Sequence, residues 1–102
     1  MARVTLGPVA ALERALASYV KSNGRRLLSL ASALGQDRVA IHVRALFRHH
    51  DPTTGYAKLE EALSNMAEGD RSALESQGVR LEERRGELYV VVDVDTIRRL
   101  LG

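Results

Sequence analysis

The sequence contains no cysteine, no tryptophan, two prolines and only four aromatic residues in 102. Without thiols there is no disulfide framework, no thiolate metal site and no cysteine nucleophile. So few aromatic rings also leave little material for the stacking platforms that hold single-stranded nucleic acids. No stretch approaches the roughly 20 apolar residues of a bilayer span. The opening segment carries Arg3, Glu13 and Arg14 and so lacks the apolar core of a signal peptide. These absences lead us to expect a cytoplasmic protein that does not insert into membranes. A chain of this length with 45% apolar and 27% charged residues is expected to form a single domain over residues 1–102.

Charge is distributed unevenly. The formal net charge is +2. Residues 1–50 hold eight Arg and Lys against Glu13 and Asp37, whereas residues 51–102 hold seven cations against eleven carboxylates. All three histidines, His42, His49 and His50, lie in the basic half. A polyanion would meet that half first.

Hydrophobic periodicity predicts helices first and a hairpin last. Arg3–Leu6 reads as a short strand, followed by Gly7-Pro8, where the proline suits a first helical position. Val9, Leu12, Leu16, Tyr19 and Val20 form the stripe of a first helix that ends at Asn23-Gly24. Leu27, Leu30, Ala31 and Leu34 predict a second helix from Arg25 or Arg26, closed by Gly35. A third, capped by Asp37, runs to His50 and buries Val39, Val43, Leu46 and Phe47. Tyr56, Leu59, Leu63 and Met66 give a fourth helix. Asp70 caps a short fifth one that turns Ala73 and Leu74 inward and stops at Gly78. The period then changes to two. Val79-Arg-Leu-Glu and Glu87–Val94 form a β-hairpin turning at Arg85-Gly86, with Leu88, Val90, Val92 and Val94 on its core face. Asp95 caps a last short helix, Thr96–Leu101. The fold class expected is α+β, mostly helical, with a C-terminal hairpin at 79–94.

Residues Leu27 to Phe47 resemble a helix-turn-helix, and residues 25–50 as a whole would form it. Ala31 stands where two helices cross closely, Gly35 where the motif turns, and Leu30 and Leu34 at its apolar positions. Ile41 falls where the motif buries an aliphatic residue, whereas the period of the third helix alone turns it outward with Arg38, His42, Ala45, Arg48 and His49. The resemblance implies that this helix enters a DNA major groove. Arg38, Arg44 and Arg48 would contact phosphates or guanine edges, His42 and His49 would lie on the same surface, and Arg25 and Arg26 would hold the backbone. With the hairpin added, the chain resembles a winged helix, in which Arg84 and Arg85 at the hairpin tip touch DNA. A second framing takes the later helices and the hairpin as the winged unit, with Arg71 on a very short recognition helix.

Other chemistry is thinly supported. His42 and His49 are two turns apart, a poor chelate bite, and Asp93-Val94-Asp95 resembles the carboxylate pairs that hold Mg²⁺ in nucleases but has no Lys or His beside it as a base. No phosphate-binding glycine loop is present. The reading is therefore a non-enzymatic protein without metal or cofactor that binds duplex DNA, as a homodimer. The rival is an adaptor subunit whose basic half docks on an acidic protein partner.

Overall fold

A computed structural model describes residues 7–102, so the strand expected at Arg3–Leu6 lies outside the described residues. The first element of the described residues is one long helix, α1, Pro8–Ala33. It continues through strand β1 (Arg38–His42), a single turn α2 (Arg44–Phe47), a 3₁₀ turn (Pro52–Thr54) and helices α3 (Leu59–Ser64) and α4 (Glu68–Glu75). Strands β2 (Val79–Arg84) and β3 (Glu87–Asp93) then form a hairpin, and α5 (Val94–Leu101) follows. The class is α+β and mostly helical, as the periodicity indicates.

The two helices expected on either side of Asn23-Gly24 are a single helix. Gly24 is buried inside it. Its missing side chain serves close approach, because a Cβ there would lie 2.9 Å from Val20 Cγ1 and 3.0 Å from Leu101 Cδ2. Termination waits for Gly35, whose φ of +65° suits glycine. There the Gln36 N–H donates to the Ala31 carbonyl at 2.8 Å and the Gly35 N–H to that of Ser32 at 3.2 Å, a Schellman closure.

The expected third helix is also corrected. Arg38–His42 is extended and pairs antiparallel with β3, matching Arg38 with Asp93, Val39 with Val92 and Ile41 with Val90. Only Arg44–Phe47 is helical, so no helix-turn-helix spans residues 25–50. Val39 and Ile41 alternate with Arg38, Ala40 and His42, and this period of two puts Ile41 in the core at 3% exposure. Asp37 is a connecting residue whose carbonyl accepts the Val94 N–H at 2.9 Å.

β3 is the central strand, in the order β1-β3-β2. The hairpin occupies its expected place, turning through Arg85 and Gly86 at φ +51° and +78°, except that Val94, expected on the core face of the return strand, opens α5. Val90 and Val92 face inward with Ile41 and Val79 and meet Leu12, Leu16 and Val20 of α1, Leu46, Leu59, Leu74 and Ile97. The fourth expected helix shortens to α3, and the fifth starts earlier than expected, at Glu68, and ends at Glu75 as α4. Ala73 is exposed while Leu74 is buried. Asp70 lies inside α4 and accepts the Ala67 N–H at 2.9 Å. Asp95 likewise lies in the first turn of α5 instead of capping it.

Candidate functional site

Helix geometry decides which cations share a surface. At 100° per residue, Arg14, Ser18, Lys21 and Arg25 fall within about 60° of one another on α1. Two contacts bind the segment after α2 to this face. Ser18 Oγ lies 2.9 Å from His49 Nδ1, and the Arg14 guanidinium donates to Asp51 Oδ2 at 3.2 Å. The His49 ring also meets the Tyr19 ring edge-on, with centroids 5.5 Å apart. Arg48 precedes His49, and Arg44 stands one turn before it, so the cations of α2 belong to a segment that is joined to α1 at His49.

This face has almost no carboxylate of its own. From Arg14 to Gln36 the chain contains no Asp or Glu, and from Asp37 to His50 only Asp37. Lys21, Arg25, Arg44 and Arg48 are exposed. None of the four takes part in the ion pairs found among the described residues. Asp51 neutralises only Arg14. Its carboxyl is held below its ordinary range, chiefly by the Thr53 hydroxyl, then by the Thr53 N–H, with Arg14 adding to both.

The sheet's cations are engaged differently. Arg38, His42, Arg80 and Arg84 stand on its outer face, each near an acid. Arg38 faces Asp93 at 3.6 Å, while Arg80 and Arg84 share Glu82 at 3.8 and 2.7 Å. His42 Nδ1 accepts the Arg44 N–H at 3.1 Å, which fixes the proton on Nε2, 3.3 Å from Glu87 Oε2. Arg84 also lies over the Tyr89 ring, 5.6 Å from its centroid. Arg85 is exposed at the hairpin tip.

Of the nine residues expected to bind nucleic acid, the fold therefore holds Arg25 on α1 and Arg44, Arg48 and His49 on the segment joined to its side through Ser18. It places Arg38, His42 and Arg84 on the outer face of the sheet, tied to carboxylates. Arg26 lies about 80° off the α1 face, toward Leu30, and donates to Asn23 Oδ1 at 2.7 Å. Lys21 was not among the nine, because a helix ending at Gly24 separates it from Arg25. The signal that would have found it is the acid-free run from Arg14 onward.

No protein-family model matches the chain, and neither does any curated protein or solved structure compared with it. The three histidines do not converge: His42 faces Glu87, His49 faces Ser18, and His50 donates from Nε2 to the Tyr56 carbonyl at 2.7 Å. Asp93 turns toward Arg38, while the Asp95 side chain is 94% exposed beside Arg98. Among the described residues no group of three His, Asp or Glu is placed to hold a metal ion.

Proposed function

We propose that the chain is a non-enzymatic module that binds duplex DNA through its phosphates, using the α1–α2 face. One observation carries this reading: Lys21, Arg25, Arg44 and Arg48 are exposed, lie on two elements joined through Ser18 and His49, and take part in no ion pair among the described residues. Cations already paired must give up a partner to meet a phosphate, whereas these four need only release counterions from the DNA. A surface of this kind positions the protein on a backbone without reading base edges. Duplex is favoured over single strands because Tyr19 packs on His49 and Tyr89 lies beneath Arg84, leaving few rings to stack on bases.

A winged helix built on the later helices would use α4 as its recognition helix. The β2–β3 hairpin follows α4 directly, which is where a wing follows a recognition helix. The charge of α4 opposes that role. Glu68, Asp70 and Glu75 outnumber Arg71, so a phosphate backbone would be repelled. The proposal therefore assigns DNA to the opposite charge pole of the molecule.

Titration of a labelled duplex at increasing salt tests this. We expect log affinity to fall against log salt with a slope of about −0.9 for each phosphate contacted. Charge reversal of Lys21, Arg25, Arg44 and Arg48 together should abolish binding, while Arg38→Ala with Arg84→Ala should leave it within about twofold. Failure of the native chain to bind duplex at low salt, or undiminished binding after the fourfold reversal, would overturn the assignment.

A further inference from the structure

The apolar stripe of α1 outlasts the core that covers it. Leu30 lies 18 residues after Leu12, and Leu34 lies 18 after Leu16. Eighteen residues are five helical turns, so each pair points in one direction. Leu12 and Leu16 are 0% and 2% exposed, whereas Leu30 and Leu34 are 55% and 67% exposed. They are the two exposed large hydrophobic residues among those described, and they are neighbours at i and i+4.

The charges flanking them decide what covers them. Arg26 is one turn before Leu30 on the same side, and Asp37 comes three residues after Leu34, just beyond the tip. Both are exposed, and neither joins an ion pair among the described residues. Along the chain, across the turn at Gly35, the order is cation, leucine, leucine, anion. Reversed end to end, that order is its own complement, which is what a two-fold interface requires.

We propose that a second copy of this chain packs antiparallel on the end of α1. Leu30 meets the partner's Leu34, and Arg26 meets the partner's Asp37. A few side chains over two turns fall short of the ~800 Å² per partner of a standard stable interface, so the dimer is weak and depends on concentration. The arrangement is independent of the DNA reading and is tested without nucleic acid.

Sedimentation equilibrium of the full chain should show reversible self-association to a dimer. Leu30→Glu with Leu34→Glu should leave a monomer at every concentration. Its thermal unfolding should stay near that of the native chain, since both positions are exposed. Arg26→Asp should weaken association about fivefold, the size expected of two exposed ion pairs, and Arg26→Asp with Asp37→Arg should restore it. A native chain that stays monomeric at the highest attainable concentration overturns the proposal, even if the same end of α1 then captures a different protein. Dimers that survive the double Glu substitution also overturn it, and failure of the charge swap to restore association overturns the antiparallel pairing.

Discussion

The two halves of α1 carry one stripe in two settings. In the first half Leu12, Leu16 and Val20 lie under the sheet and the later helices, and Arg14 is tied to Asp51. In the second half Leu30 and Leu34 continue the same direction into solvent, and Lys21 and Arg25 meet no acid. Both halves pack on the domain, the second through Gly24, Leu27, Leu28 and Ala31, but only the second leaves leucines of this stripe in solvent. Residue type and helical phase alone do not separate these settings, because leucines 18 residues apart are equivalent until a tertiary neighbour covers one of them.

The sharpest way to break this comparison is truncation at equivalent positions. Leu16→Ala should cost about 2–5 kcal/mol, the range for a fully buried leucine, and Leu34→Ala less than about 0.5 kcal/mol. Chemical denaturation of both variants decides it, and equal losses would contradict the division. A smaller effect tests the junction of the halves. Gly24→Leu should displace the end of α5 by colliding with Leu101, costing about 1–3 kcal/mol despite the better helix propensity of leucine. A melting curve unchanged by that substitution would mean that α5 does not need to lie there.

The smallest effect concerns acid. Because the Asp51 carboxyl is held below its ordinary value of 3.8, it contributes stability that is fully present above that value. This contribution is lost as pH falls from there through the lowered native value. Asp51→Asn should therefore be less stable than the native chain at neutral pH, and the difference should shrink below pH 3.8. A gap that stays constant through that window would remove Asp51 as its cause.

Legibility in the sequence followed the source of each signal. The hairpin was readable because strict alternation, a Val-rich return strand and Arg85-Gly86 all point the same way within 15 residues. β1 was not. Val39, Val43, Leu46 and Phe47 satisfy a helical period as well as Val39 and Ile41 satisfy an extended one. The choice rests on β3, about 50 residues away, which otherwise has an unpaired edge. Gly24 misled for a related reason: a glycine that ends a helix and one that admits a neighbour's side chain look alike until Leu101 is known to be there. In the site, exposure of Arg25, Arg44 and Arg48 was readable. The engagement of Arg38, His42 and Arg84 by Asp93, Glu87 and Glu82 was not, because those acids come from a strand pairing that no local pattern encodes.

By itself, then, the sequence determined the α+β class, the hairpin with its core face, the end of α1 at Gly35 and the division into a basic and an acidic half. Each depends on side-chain period or backbone freedom within a few neighbouring residues. Tertiary structure alone decided that residues 8–33 are one helix, that Arg38–His42 is a strand, which leucines are covered and which cations are left without a carboxylate partner. These outcomes depend on contacts between residues far apart in the chain, where burial and charge pairing outweigh local preference.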